Sequence, residues 1–149
     1  MILLDFSQTM IGSFMAMGKG SVVVDEDLLR HTVLNTILNY KKTHRHIYDC
    51  GAGPGLVICC DSPKNWRKES FPEYKANRKK NREESDTDWD QIFGWIHGVK
   101  DEIRENFPYR VVHVDTAEAD DIISVLARSS DPFEKHLIIS SDKDFVQLH

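Results

Sequence analysis

The run Leu56-Val57-Ile58-Cys59-Cys60-Asp61 decides the fold. Its five apolar residues have no polar alternate face, so they predict a strand buried on both sides, as in a parallel sheet. The turn-rich stretch Gly51 to Gly55 precedes it, and an aspartate ends it. Working outward, Ile2-Leu3-Leu4 ends in Asp5, and Leu137-Ile138-Ile139 leads into Ser140-Ser141-Asp142. Tyr109 to Val114 is another strand candidate. Between the strands lie helical patterns. Asp25 to Tyr40 has Asp25 or Asp27 as cap and an apolar face of Leu29, Val33, Leu34, Ile37 and Leu38. Asp88 to Phe107 carries Ile92, Trp95, Ile96, Val99 and Ile103 at helical spacing and stops at Pro108. Ala119 to Arg128 is a third helix. The alternation predicts an α/β fold: a parallel sheet with helices on both faces. Sites on such sheets lie outside the carboxyl ends of the strands.

The 149 residues are the size of one domain, and 40% hydrophobic residues suffice for a core. The net charge of −5 gives no global attraction to nucleic acid. The charges are segregated, however: eight Lys or Arg and only two Glu fall between Lys64 and Arg82. Cys50, Cys59 and Cys60 form no disulfide framework and predict structural thiols in a reducing compartment. Asp5 breaks the first apolar run, so no secretory signal is expected, and no stretch is long enough to span a bilayer. A soluble, cytoplasmic, monomeric protein with no membrane partner is the expectation.

Asp5, Asp61, Asp142 and Asp144 are expected to converge on one sheet edge, with Glu118, Asp120 and Asp121 opening the helix after the third strand. Seven carboxylates together need compensating charge, and hard oxygen donors suit Mg²⁺, with Mn²⁺ as substitute. Two such ions about 4 Å apart activate water and stabilise the leaving oxygen of a phosphodiester. Helix phase sets a limit. Glu118 and Asp121 share a face, whereas Asp120 points elsewhere in a regular helix, so Asp121 is also a candidate cap. Each acid taken alone fits a helix cap as well; the coincidence of three strand-end aspartates with Glu118-Ala119-Asp120-Asp121 favours a site.

Trp66 to Arg82 mixes Arg67, Lys68, Lys75, Arg78, Lys79, Lys80 and Arg82 with Trp66, Phe71 and Tyr74. Cations contact phosphate and aromatics stack on single-stranded bases, and the segment directly follows Asp61. A solvated loop is the plainer alternative. His44 and His46 lack a second pair at zinc spacing. Trp89 and Trp95 are expected in the core. Gly18-Lys19-Gly20-Ser21 lacks the spacing of a phosphate loop, leaving Lys19 as a weak phosphate candidate.

The blocks Glu118-Ala119-Asp120-Asp121-Ile122-Ile123 and Ser140 to Leu148 resemble the two most specific motifs of the 5′-nuclease superfamily. That superfamily includes flap endonucleases, the 5′-exonuclease domain of bacterial DNA polymerase I and phage 5′-exonucleases. Leu4 to Gln8, Trp66-Arg67, Lys75, Asn77-Arg78, Arg82 to Ser85 and Asp88-Trp89 resemble its T-even phage ribonuclease H type. The resemblance implies a PIN-like core with a basic helical arch. It implies that Asp5, Asp61, Glu118, Asp120, Asp121 and Asp142 belong to a first metal site and Asp144 to a second. It places Arg67, Lys75 and Arg78 in the arch over the scissile phosphate. It further implies 5′→3′ removal of RNA from RNA–DNA hybrids and cutting of DNA 5′ ends, flaps or nicks. Single-stranded-DNA-binding protein and sliding clamp are the implied partners. Residues 1–149 are expected to be the N-terminal catalytic domain, with the family's helix–hairpin–helix part absent. The alternatives are a fragment that binds nucleic acid or a partner without cutting, and a PIN-like ribonuclease of RNA turnover.

Overall fold

A computed structural model describes residues 1–18, 24–49, 55–129 and 134–148, with only the backbone of Lys79. The Lys19 loop, Cys50 and positions 51–54 of the turn-rich stretch lie outside the described residues.

The described chain alternates strands and helices in the order β1 (Ile2–Asp5), α1 (Phe6–Met17), α2 (Glu26–Thr43), α3 (Arg45–Tyr48) and β2 (Leu56–Cys60). Next come α4 (Trp66–Ser70), α5 (Ala76–Glu83), α6 (Trp89–Asn106), β3 (Arg110–His113), α7 (Ala119–Ser129) and β4 (Leu137–Ile139). A 3₁₀ helix, Lys143–Leu148, follows. All strand pairs are parallel, and the spatial order is β3-β2-β1-β4. This is the α/β sheet that the apolar runs predict.

The two central strands are buried along their whole length, which explains their lack of polar alternation. Successive side chains alternate between layers. Ile2, Leu4, Leu56, Ile58 and Cys60 pack with Met10 of α1, with Leu29, Val33 and Ile37 of α2, and with Ile92, Ile96, Val99 and Ile103 of α6. Leu3, Val57 and Cys59 pack with Ala119, Ile122 and Ile123 of α7. Burying each Leu or Ile fully is worth about 1.5–3 kcal/mol. Trp89 and Trp95 pack against the larger cluster, as a core reading requires. β3 is only partly buried because it is an edge strand, and it is shorter than Tyr109 to Val114.

Asp25 and Asp88 cap α2 and α6, accepting from Leu28 N–H at 2.8 Å and Gln91 N–H at 3.0 Å. Asp5 has two roles: it ends β1 and caps α1 through Gln8 N–H at 3.1 Å. β1 lies between β2 and β4, so the chain leaves its two sides in opposite senses. That makes the β1/β4 gap the topological switch point, where open α/β sheets place ligands.

Candidate active site

A cavity of about 650 Å³ opens at the carboxyl ends of the strands. Asp5, Asp61, Glu118, Asp120 and Asp142 line it, and Lys68, Lys75, Arg78 and Arg82 line it too. The four aspartates arrive on different supports, and Glu118 directly precedes the helix of Asp120. Asp5 ends β1, Asp61 follows β2, Asp120 sits in the first turn of α7, and Asp142 follows β4.

Asp5 is 6% exposed. Its carboxyl is pushed up to about 6, chiefly by burial and further by the charges of Asp61 and Asp120, against the opposing hydrogen bonds from Gln8 and Ser140. Burial also raises Asp120; Asp142, Glu118 and Asp61 push in the same direction, while Lys75 pulls it down. Asp61 accepts the Ala119 N–H at 2.7 Å, joining the β2 end to the start of α7. Asp142 is exposed on the rim, and its Oδ1 accepts the Asp144 N–H at 3.0 Å. Asp144 is exposed and does not line the cavity.

Glu118 and Asp121 face a different neighbour. Glu118, 8% exposed, accepts from Lys75 Nζ at 2.7 Å, Tyr74 OH at 3.0 Å and Arg67 Nη1 at 3.1 Å. Burial works to raise its pKa, but hydrogen bonds from Lys75, Asn65 and Tyr74 outweigh it and hold the carboxyl below its ordinary value. Asp121 takes both arms of Arg67, at 2.8 and 2.7 Å, and the Trp66 indole N–H at 3.2 Å. It also accepts the Glu118 N–H at 3.0 Å, the N3-to-cap half of a capping box. Burial opposes ionisation here as well, yet Arg67 and these N–H groups keep Asp121 low. The helix phase therefore separates the neighbours: Asp120 faces the cavity, and Asp121 faces Arg67.

The basic segment divides in the same way. Trp66, Arg67 and Tyr74 anchor its start, with the Arg67 guanidinium 4.7 Å from the Trp66 ring centroid. Trp66, Arg67 and Tyr74 do not line the cavity, whereas Lys75, Arg78 and Arg82 do. Arg82 lies over Phe93 at 4.7 Å and Trp89 at 5.4 Å, so α6 supports it. The Lys79 side chain is outside the described residues. Lys75 has φ 55°, a strained left-handed backbone at the start of α5, beside its bond to Glu118.

The donor set fits a hard divalent cation. It consists of carboxylates, two of them with pKa values raised chiefly by burial and further by neighbouring acids. Among the described residues, no three Asp, Glu, His or Cys side chains stand close enough to form a ready-made cage. The acids ring the cavity.

The profile of the 5′–3′ exonuclease N-terminal resolvase-like domain matches residues 1–149. The chain belongs to that nuclease family. Within the 5′–3′ exonuclease family, it is 40% identical to ribonuclease H of Enterobacteria phage T4 over 99% of its own length and 48% of the relative's. It is 30% identical to DNA polymerase I of Pseudomonas aeruginosa over 78% of this chain and 11% of the polymerase. Among solved structures, the T5 D15 protein co-crystallised with metal ions superposes with a TM-score of 0.70 at 18% identity, over 99% of this chain and 50% of that one. The T5 5′-exonuclease with zinc bound gives 0.70 at 17%, over 99% and 51%. The chain thus spans about half the length of the phage relative and of both structural neighbours.

Several residues of this exonuclease-family cavity carry no signal that stands out in the sequence. Lys68 is visible only as one of many cations in its segment. Ile96 was legible as core, yet it and His97 also line the cavity. Gln8, which lines the cavity, and Ser140, beside it, fall in blocks that resemble the family, but nothing in the sequence shows that they pair across 132 positions.

Proposed function

We propose that this chain is the catalytic part of a divalent-metal-dependent 5′→3′ nuclease that removes RNA from RNA–DNA hybrids and cuts DNA 5′ ends or flaps during phage-type replication. One observation carries the reading: Asp5, Asp61, Asp120 and Asp142, from four separate segments, meet at one cavity that also holds Lys68, Lys75, Arg78 and Arg82. The ribonuclease H name of the T4 relative and the metal ions bound to the T5 proteins support it.

In this reading, Asp5, Asp61, Asp120 and Asp142 hold Mg²⁺, or Mn²⁺ in its place, with Asp144 serving a second ion. A cation held by these carboxylates would supply an activated water and polarise the phosphoryl oxygen. Lys75, Arg78 and Arg82 hold the phosphodiester against the carboxylates, which alone would repel it. Asp121 and Arg67 keep the start of α7 and the basic segment in fixed relation. No protein nucleophile is needed: Cys59 and Cys60 are buried, and burial pushes both thiols up to about 12. The site acts in the host-cell cytoplasm on hybrid, nicked or flapped substrates.

The test is cleavage of a 5′-labelled RNA–DNA hybrid in Mg²⁺. Asp120→Asn and Asp142→Asn each abolish product while circular dichroism stays unchanged. Full activity in both variants would sink the reading. Preference for free single-stranded RNA would instead indicate a ribonuclease of RNA turnover, and binding without product would indicate a non-cutting module.

A further inference from the structure

Resting on that reading, we propose that Gln8 is the positioning residue for Asp142. The β1–β4 register runs through Leu4 opposite Ile139. Past that pair, Ser140, Ser141 and Asp142 leave the ladder, and Asp142 stands exposed on the cavity rim. Gln8, in the first turn of α1, reaches across the switch point. Its Oε1 accepts the Ser141 N–H at 2.7 Å and the Ser140 hydroxyl at 3.0 Å, and its side-chain amide nitrogen contacts the Ser141 hydroxyl. Ser140 Oγ also lies 3.2 Å from Asp5 Oδ2 and accepts the Asp142 N–H at 3.1 Å. The Gln8 backbone closes the ring by donating to Asp5 Oδ1 at 3.1 Å.

One side chain therefore links the aspartate of β1 to the loop that carries the aspartate of β4. A carboxamide suits the place. It offers acceptor and donor together and adds no charge between carboxylates that already repel. Gln8 fixes the separation of Asp5 and Asp142 before a cation arrives, as outer hydrogen bonds to metal ligands do elsewhere.

The test uses Gln8→Met, which keeps the length and loses the hydrogen bonds, with Ser140→Ala and Ser140→Thr beside it. Mn²⁺ affinity is read by calorimetry, loop protection by amide hydrogen exchange at Ser141 and Asp142 in EDTA, and the global fold by thermal melting. Gln8→Met and Ser140→Ala are expected to weaken Mn²⁺ binding about 10-fold or more. They also speed exchange at Ser141 and Asp142, lower kcat on the hybrid and leave KM in place. Ser140→Thr keeps the hydroxyl and behaves as wild type. Unchanged Mn²⁺ affinity in Gln8→Met, or a loss matched by a general fall in melting temperature, would overturn the assignment. A wild-type chain that takes up no Mn²⁺ overturns the metal reading, and this assignment with it. Exchange in EDTA then still reports separately whether Gln8 holds the loop.

Discussion

Arg67 grips Asp121 through both guanidinium arms, at 2.8 and 2.7 Å, so the first arginine of the basic segment is bound to the start of α7 rather than to the cavity. Both side chains are about three-quarters buried. Bidentate, partly desolvated pairs of this kind are stronger than surface ion pairs. Arg67→Ala is expected to lose about 1–3 kcal/mol of stability in urea unfolding. An Arg67→Ala variant as stable as wild type would show that the pair holds nothing.

Asp120 and Asp121 are adjacent in sequence and should respond oppositely to neutralisation. Asp120 is raised chiefly by burial, with repulsion from other acids adding to it. Asp120→Asn therefore leaves the metal-free fold unchanged or firmer and loses Mn²⁺ binding. Asp121 is held low by Arg67, so Asp121→Asn loosens the fold by about 1–2 kcal/mol while retaining most Mn²⁺ binding. Calorimetry and melting in EDTA separate the two, and equal loss of Mn²⁺ in both variants would contradict the division.

Asp5 gives the metal-free protein a pH signature. Its carboxyl moves from 3.8 unfolded to about 6 folded. A carboxyl raised by folding favours the fold while protonated. Its contribution is complete below pH 4 and is lost as pH rises through about 6. The shift of about 2 units corresponds to at most about 3 kcal/mol. Asp5→Asn keeps a capping side chain and removes this titration. The stability difference between variant and wild type in EDTA should therefore grow in favour of the variant between pH 4 and 6 and then level off. Mn²⁺ at pH 7 should stabilise wild type and leave the variant unmoved. A constant difference across that range would rule the assignment out.

Arg78 and Lys75 line the cavity and contact phosphate in the proposed reading. Arg78→Ala should weaken hybrid binding uniformly across sequences and reduce the slope of log affinity against log salt by about 1. Folding stability should change little, because Arg78 is exposed. A salt slope equal to wild type would place Arg78 off the substrate path.

Cys59 and Cys60 lie under opposite faces of the sheet and are pushed up to about 12 by burial. Both should resist a thiol reagent at pH 8 and react only on unfolding, as mapped by mass spectrometry. Rapid labelling of either in the native protein would contradict the burial.

Local physics made much of this molecule legible in its sequence. Leu56 to Cys60 had to be a doubly buried strand because it offered no polar face. Asp25 and Asp88 stood where orphan helix N–H groups need acceptors, and they cap α2 and α6. The strand-end acids pointed to the cavity that Asp5, Asp61 and Asp142 line, because α/β sheets expose that edge. α1 is not legible in the same way, because Asp5 both ends β1 and caps the helix that begins at Phe6.

Tertiary structure decided the division of labour among those acids and cations. Periodicity could separate Asp120 from Asp121 by phase, but only the packing of α4 against α7 brings Arg67 and Trp66 to Asp121. The same holds for Gln8 and Ser140. They are 132 positions apart and meet because β4 returns to lie beside β1, on the side away from β2. Helix phase and strand burial follow from neighbours in the chain. Strand order follows from which apolar faces bury each other, and here that choice set which side chains share the cavity.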